Sequence, residues 1–290
     1  MPRPKRWTEL GVKDGFGQLK VLKWRYFVEY VHQHMAEHDT YVWRGHRCDD
    51  WALKSTLQRL VEKAKVGSAK RSDFTQNHLD KFQYAVRGRR GLNPRAISEE
   101  NEWWALGQHH GLATPLLDWT ASPFVAAYFA FIGSGTDQTT HRAVYALHRP
   151  SIEKKVRDLL RAEKQSRREK LEELEKAPEP KNHLAIAGLK LEPKPEFEFI
   201  RPRSDENQRL VNQSGLFTRA TNGATIEDWV QKHFAGETGR YHLMKILIPN
   251  RDREVCLRIL NRMNINHLTL FPDLYGASKF CNLFSEIDKY

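Results

Sequence analysis

The chain has 290 residues, of which 40% are hydrophobic and eight are Trp, so it can bury a sizeable core. Its 47 Lys and Arg against 36 Asp and Glu leave a net charge of +11, which attracts nucleic acid or nucleotide phosphates, although an unpartnered basic surface has the same composition. No stretch stays apolar over the roughly 20 residues of a membrane span, and the N-terminal MPRPKRWTEL lacks a signal core, so we expect a cytoplasmic protein with no membrane partner.

The first half of the chain predicts helices interspersed with strands. Residues 15–37 have near-helical apolar spacing, and a strand follows over TYVWRG. Helical or turn-rich residues then run from WALKSTLQRL to the basic loop VRGRRGLNPR. SEENEWWALGQH predicts a helix with a serine N-cap at Ser98, and SPFVAAYFAFI predicts a buried helix in which Ser122 is the cap and Pro123 opens the first turn.

The second half predicts the strand RAVYALHR and then a charged helix over residues 151–176, whose second part is solvated. A proline-rich excursion follows, and we interpret residues 151–195 as an insertion. FEFIRP, LFTRA, LMKILIPN and HLTLFPDL are predicted as strands, while ENQRLVNQS, DREVCLRILNRMNI and YGASKFCNLFSEI are predicted as helices. Without a regular βαβ period, the pattern indicates an α+β fold forming a single domain over residues 1–290.

Arg44 stands where an apolar strand reaches a glycine. A buried guanidinium is costly unless it holds an anion. That anion is either a structural carboxylate or a ligand phosphate held by the planar fork of the guanidinium. On chemistry alone, both interpretations stay open.

A second cluster of polar residues lies in QHHGLATPLLDWTASPFVAAYFAF, within a run that otherwise forms core. Convergent polar groups between apolar walls are typical of small-molecule sites. Each residue also has an ordinary structural explanation, such as a helix cap, a turn or a core histidine. The candidates are Gln108, His109, His110, Thr114, Asp118, Thr120 and Ser122.

No metal site is expected, because adjacent histidines point in different directions and HExxH or His-x-His spacing is missing. Cys48, Cys256 and Cys281 lack CxxC spacing, so we expect reduced thiols. The chain has no Walker loop, GxGxxG or GxSxG.

Two further regions are candidates for binding. Residues 205–218, DENQRLVNQSGLFT, offer amides that suit sugar hydroxyls, or they form a polar helix end with a glycine stop. A basic stretch interleaved with tryptophan suits phosphates and bases, or it is a solvated loop beside the core. This second region comprises Lys81, Arg87, Arg89, Arg90, Arg95, Trp103 and Trp104.

VWRG, QHHGLATPLLDWTASPFVAAYFA, QRLVNQSGLFT and LFPDLYGA are similar, in order and spacing, to the FRG domain family, named for a Phe/Tyr-Arg-Gly signature. Trp43 takes the aromatic place of that signature. The resemblance spans roughly residues 25–280 and is interrupted by the charged insertion.

Arg44-Gly45 and the Thr120-x-Ser122 motif also resemble the Arg and Ser-Thr-Ser motifs of arginine-class ADP-ribosyltransferases. This resemblance implies a split mixed β-sheet and NAD as substrate. It also implies that Arg44 grips the NAD phosphates and ribose, while the hydroxyl-bearing strand braces the nicotinamide-ribose pocket.

In that family a later Glu or Gln stabilises the oxocarbenium ion. For this role we nominate Gln213, with Glu206 in reserve. We expect Arg44, Gln213, Glu206 and His109 to act in catalysis. The expected NAD-binding residues are Arg44, Gly45, His109, Thr114, Asp118, Thr120 and Ser122.

The resulting hypothesis is an ADP-ribosyltransferase-like enzyme that modifies a macromolecule, and the basic charge of the chain favours nucleic acid, DNA or RNA, as that target. The resemblance implies a bacterial toxin or phage-defence setting, with an antitoxin or regulatory protein as partner. The alternative is a module that binds nucleic acid or a nucleotide without turnover. A third reading uses His109 and Asp118 as an acid/base pair.

Overall fold

A computed structural model describes residues 5–35, 40–91, 93–133, 139–176, 183–201, 215–220 and 223–290. Within these residues the strands are β1 (Trp7–Lys13), β2 (Phe16–Val21), β3 (Tyr41–His46), β4 (Leu116–Thr120), β5 (His141–His148), β6 (Phe197–Ile200), β7 (Gly215–Ala220) and β8 (Leu243–Pro249). They form one sheet in the order β1-β2-β8-β5-β3-β4-β7-β6. Every neighbouring pair is antiparallel except β2 and β8, so the sheet is mixed.

The helices surround this sheet. In the described residues they are α1 (Trp24–His34), α2 (Thr56–Lys63), α3 (Arg71–Ala85), α4 (Glu100–His109), α5 (Pro123–Phe131), α6 (Arg149–Lys176), α7 (His183–Lys190), α8 (Ile226–His233), α9 (Arg253–Arg262), α10 (His267–Leu270) and α11 (Leu274–Glu286). The predicted α+β fold with a mixed sheet is therefore confirmed, while its likeness to ADP-ribosyltransferases stays a prediction. None of the helices in these ranges is long and apolar enough to cross a bilayer.

Alternation along β5 separates two cores, because successive side chains of a strand point to opposite faces of the sheet. Val144 and Ala146 pack with α1, α5 and α9 on one face. Tyr145 and Leu147 lie on the other face with α8 and the start of α6. A third apolar cluster joins α2, α3 and α4 beside the sheet.

The helix α5 packs unusually close to β3. Ser122 accepts a hydrogen bond from the Val125 amide and Pro123 opens the first turn, which confirms the predicted buried helix. A β-carbon at Gly45 would overlap the Ala126 carbonyl oxygen and lie 2.6 Å from the Ala130 amide nitrogen. Gly45 therefore provides space for α5, and it lies inside β3 rather than at a turn that ends it.

The sheet is weakest between β3 and β4. These strands pair at a single position, Trp43 opposite Thr120, whereas β3 pairs with β5 over six positions. Continued pairing would set Gly45 opposite Asp118, but the strands separate before that point. The separation opens a gap through the sheet beside Arg44.

Three predicted elements are corrected. Residues 16–21, assigned to a helix, form β2, because Leu19 and Val21 alternate with Gln18 and Lys20 and the strand pairs with β8. The helix α4 begins at Glu100, with Glu99 rather than Ser98 in the N-cap position. HLTLFPDL, predicted as a strand, contains the short helix α10, which the Asn266 side chain caps.

The remaining long elements follow their predictions. In α6 only Ile152 is buried, as expected of a charged helix that is mostly solvated. Strands β6, β7 and β8 and helices α9 and α11 occur where strands and helices were predicted. The helix predicted before β7 falls on residues 202–214, outside the described residues. The single-domain assignment and the insertion over residues 151–195 stay predictions.

Candidate functional site

A cleft of about 450 Å³ opens where β3 and β4 separate. Its floor comes from these two strands, and its walls come from the loop after β3, the helices α2, α4 and α5, and the segment after α10. The lining residues include Trp43, Arg44, Gly45, His46, Arg47, Trp51, Arg59, Gln108, His109, Asp118, Thr120, Phe129 and Phe271. Residues far apart in the chain therefore meet at one gap in the sheet.

The guanidinium of Arg44 spans this gap. Its Nη1 donates to the Asp118 carbonyl oxygen at 2.7 Å and lies 3.6 Å from the Asp118 carboxylate. Its Nε donates to His46 Nε2 at 3.1 Å. Within the described part of the chain, Nη2 forms no hydrogen bond or ion pair. Burial lowers the pKa of Arg44, so its charge is poorly solvated and an anion at Nη2 would be strongly favoured.

His46 fixes the orientation of Arg44. Burial, with a smaller effect from the Arg44 charge, lowers the pKa of His46 to about 3, so its ring is neutral. Because Nε2 accepts from Arg44, the ring proton lies on Nδ1, which donates to the Trp51 carbonyl oxygen at 3.3 Å. A neutral ring thus links the arginine to the loop that carries Trp51.

A chain of side chains holds Asp118 from the other side. Gln108 Nε2 donates to the Asp118 carboxylate at 2.7 Å, and Gln108 Oε1 accepts a hydrogen bond from the Thr114 hydroxyl. Thr114 is fully buried, and its backbone amide donates to the Thr56 hydroxyl oxygen at 2.8 Å. The C-terminal end of α4 is therefore tied to β4, which keeps His109 at the cleft.

The cleft is basic and aromatic. Arg47 and Arg59 add two exposed guanidinium groups to that of Arg44, and Asp118 is the one carboxylate among the described lining residues. The apolar part of the lining is mostly aromatic, with Trp43, Trp51, Trp119, Phe129, Phe217 and Phe271. Positive charge beside aromatic walls suits a ligand that has both phosphates and planar rings.

A match to a known family covers this region. Residues 39–139 match the FRG domain family model, and they include all lining residues of the cleft except Phe217 and Phe271. The chain carries an FRG domain. No curated protein and no solved structure is significantly similar to the chain. The similarities noted at QRLVNQSGLFT and LFPDLYGA lie beyond the matched residues.

Of the predicted NAD-binding residues, the FRG domain brings five to the cleft, namely Arg44, Gly45, His109, Asp118 and Thr120. Two others lie elsewhere. Thr114 supports Gln108 from the core, and Ser122 caps α5, with its own amide bonded to the Thr120 hydroxyl at 3.1 Å. Gln213 and Glu206 lie outside the described residues.

The predicted nucleic-acid-binding residues lie on α3, α4 and the loop between them. Lys81, Arg87 and Arg89 are exposed, and Arg90 lies 5.3 Å from the ring of the half-buried Trp103. The prediction that Trp104 lies on the surface is wrong. Its side chain is 0% exposed, and its Nε1 donates to the Glu100 carboxylate at 3.1 Å, so it belongs to the core. It cannot stack on a base without unfolding α4.

Sequence reasoning missed a row of polar residues that braces the cleft loop. Tyr145 lies opposite Arg44 on one side and Lys245 on the other, across three strands. The Tyr145 hydroxyl donates to the Trp51 carbonyl oxygen at 3.1 Å, and the Glu227 carboxylate accepts from the Leu53 amide at 3.0 Å. Burial raises the pKa values of Tyr145 and Glu227 and lowers that of Lys245. The strand register places Tyr145 beside Lys245, and the packing of α8 brings Glu227 to the same loop.

The same reasoning missed His46, Arg47, Trp51 and Arg59. For His46 a signal existed, because residues two apart in a strand share a face and Arg44 needs a neighbour there. The Ser55–Gln58 capping box fixes where α2 begins and so where Arg59 lies, yet nothing in the sequence directs that helix toward β3. Among the described residues, no three His, Cys, Asp or Glu side chains are grouped as a metal site would require.

Proposed function

We propose that the FRG domain binds NAD in this cleft and transfers its ADP-ribose group to nucleic acid. The observation that carries the proposal is the state of Arg44, a half-buried arginine in a basic, aromatic cleft with Nη2 unpaired within the described residues. A structural ion pair alone would leave that nitrogen with an unmet need for an acceptor. A diphosphate would supply oxygen acceptors to Nη2, and the same ligand could also contact Arg47 and Arg59.

The cleft has a suitable size and lining for a dinucleotide. Its volume of about 450 Å³ falls within the roughly 300–1,000 Å³ that ligand pockets usually span. Phe129 and Phe271 meet edge to face, with ring centroids 6.0 Å apart, and form an apolar wall for a planar ring. Thr120 and His109 offer polar contacts for ribose hydroxyls.

The chemistry requires positioning and charge rather than a metal. The C1′–N bond of NAD breaks, and its electron pair leaves with nicotinamide, which becomes neutral. C1′ then bonds to a nitrogen or oxygen of the target nucleotide, whose proton must move to a base. Asp118 and His109 are the described lining residues that suit this proton transfer, and the Asp118 carboxylate also stabilises the cationic C1′ electrostatically.

Mutation tests which residue plays the part of the later Glu or Gln in the ADP-ribosyltransferase resemblance. We propose Gln213, with Glu206 in reserve, as the residue that orients the ribose hydroxyls. Gln213→Ala and Glu206→Ala are assayed separately, and the true third residue is the one whose loss lowers turnover while NAD affinity changes little. Equal activity of both variants and wild type would remove both nominations.

The test of the proposed function uses NAD labelled in the adenylate half. Purified protein is incubated with labelled NAD and single-stranded DNA, RNA or a protein mixture, and nicotinamide release and label transfer are measured. We expect transfer to nucleic acid by wild type and at least a 100-fold loss in Arg44→Ala. The matched control is Arg262→Ala, an exposed arginine of α9 outside the cleft, which should behave like wild type. Equal release by wild type and Arg44→Ala would refute the proposal.

A second candidate is a module that binds nucleic acid or a nucleotide without turnover. It is favoured by the presence of one carboxylate, Asp118, among the described cleft residues. NAD binding without nicotinamide release would select this candidate.

The proposed setting, a toxin or phage-defence system with an antitoxin partner, is checked by expression in bacteria. Wild type should slow growth and Arg44→Ala should not.

A further inference from the structure

The basic charge of the chain is concentrated in one segment. Residues 56–95 contain ten Lys or Arg and three Asp or Glu, which gives +7 of the chain's +11. This segment includes α2 and α3. It buries Leu57, Val61 and Leu79 against α4 and turns its charged side chains outward.

Nearly all of these cations form no ion pair within the part of the chain that the structure describes. Nine of the ten are exposed and form no ion pair with any residue that the structure describes: Arg59, Lys63, Lys65, Lys70, Arg71, Lys81, Arg87, Arg89 and Arg95. The helix α6 also has ten Lys or Arg, but it has seven Asp or Glu and four ion pairs within the helix. The segment 56–95 therefore presents its positive charge to solvent, while α6 neutralises much of its own.

An exposed aromatic side chain lies within the basic surface. Tyr84 is 70% exposed, and the Arg87 guanidinium lies 3.6 Å from its ring centroid. Lys81 is three residues earlier, so all three form one ridge along the helix and its end. Proteins that bind single-stranded nucleic acid without sequence preference combine cations that contact the phosphates with aromatic and guanidinium groups that stack on the bases.

The basic surface reaches the cleft through α2. Arg59 lines the cleft, and Lys63 is four residues further along the same exposed side of the helix. Four residues of helix correspond to about 6 Å, close to the spacing of neighbouring phosphates in an extended strand. Charge therefore continues from the open surface to the mouth of the cleft.

We propose that the exposed cations of α2 and α3, with Tyr84, form the docking surface for a single-stranded nucleic acid whose target nucleotide enters the cleft past Arg59. In naming this nucleic acid as the substrate, the proposal rests on the proposed function. The occupant is a nucleic acid rather than an acidic protein, because a stacking platform accompanies the charge. Tyr84, and not Trp103 or Trp104, is the stacking residue.

The experiment measures binding of a labelled single-stranded oligonucleotide by fluorescence anisotropy over a range of salt concentrations, without NAD. A quadruple variant changes Lys63, Lys65, Lys81 and Arg87 to serine. The control changes Lys154, Arg157, Lys170 and Lys176 of α6 to serine, which removes the same charge from exposed positions without an ion pair in the described chain. Thermal unfolding confirms that both variants fold.

We expect the quadruple variant to lose affinity by about 100-fold and the slope of log K against log salt to fall by about 0.7 per lost contact. The α6 variant should bind like wild type. Tyr84→Ala should cost about tenfold with an unchanged salt slope, and Tyr84→Phe should restore binding. Such a split between charge and stacking is not expected of a merely structural tyrosine.

Four results would overturn the inference. They are no binding by wild type, equal losses in the two quadruple variants, duplex binding as tight as single-strand binding, and displacement by polyglutamate as effective as by unlabelled oligonucleotide. The last result would indicate an acidic protein partner. NAD affinity is measured separately by calorimetry, so failure of the NAD proposal and failure of the docking surface give different results.

Discussion

Two arginines on neighbouring strands of the sheet show different ways to accommodate a charge. Arg142 on β5 is 2% exposed, and each of its nitrogens donates a hydrogen bond. The acceptors are the Asn250 amide oxygen and the carbonyl oxygens of Arg47, Ala130 and Gly133. Arg44 on β3 is held through Nε and Nη1 alone among the described residues.

The difference separates a structural arginine from one prepared for a ligand. Arg142 ties together the ends of β3 and α5 and the turn after β8, and its bonds need no external anion. Arg44 is fixed in direction by His46 and Asp118, and it keeps one nitrogen available at a cleft. A preoriented, incompletely satisfied guanidinium reduces the entropy cost of binding a phosphate.

The largest expected effect comes from removing Arg142. Arg142→Ala leaves four acceptors, all buried or partly buried, without this donor and creates a cavity, so the free energy of unfolding should fall by about 4 kcal/mol or more. Arg44→Ala removes two hydrogen bonds, to the Asp118 carbonyl and to His46 Nε2, and an exposed ion pair, so it should cost only about 2 kcal/mol. Urea unfolding of both variants measures the difference. Equal losses would contradict the contrast between the two arginines.

A change of pH should act on Arg44 through His46. The folded pKa of His46 is about 3, below its ordinary value of about 6.5, so the unfolded chain binds the extra proton first. Its contribution to stability is complete above about pH 6.5 and is lost as the pH falls toward 3, by up to about 1.4 kcal/mol per pH unit. Arg142 should show no such dependence on pH, because its four acceptors named above are amide and carbonyl oxygens, which do not titrate.

The measurement compares urea unfolding of wild type and His46→Gln between these pH values. Glutamine can still accept from Arg44 and donate to Trp51, but it does not titrate. The variant should therefore lose stability less steeply with acid, by about 1 kcal/mol per pH unit. Parallel slopes would show that His46 does not titrate between the two states.

Much of the fold could be predicted because local signals agree with tertiary structure. Ser122 and Pro123 set the start of α5 whatever packs around it, and the apolar run of β5 suits a strand buried on both faces. The strand β2 was assigned to a helix because its apolar residues fit both periods until the pairing with β8 is known. Short elements such as α10 depend on packing more than on their own pattern.

The site residues that belong to a sequence motif could be predicted, whereas those that only tertiary packing brings to the cleft could not. Arg44 and Asp118 were identified because a charged group within an apolar run is costly and so requires an explanation. Arg142 was predicted only as part of a strand and was not singled out, although it is buried more completely than Arg44. Phe271 reaches the cleft from a segment more than 200 residues later in the chain, and no local pattern can supply that contact.

The smallest expected effect sharpens the contrast at Asp118. Its carboxylate is 60% exposed and lies 3.6 Å from Arg44 Nη1, so it competes with a phosphate for the same guanidinium. Asp118→Asn keeps the backbone carbonyl bond while removing the charge, and the affinity for ADP-ribose should rise about threefold, more at low salt. Calorimetry measures this, with Asp158→Asn on α6 as the matched control. A lower affinity would instead mean that the carboxylate orients Arg44, which would make its ion pair as structural as the bonds of Arg142.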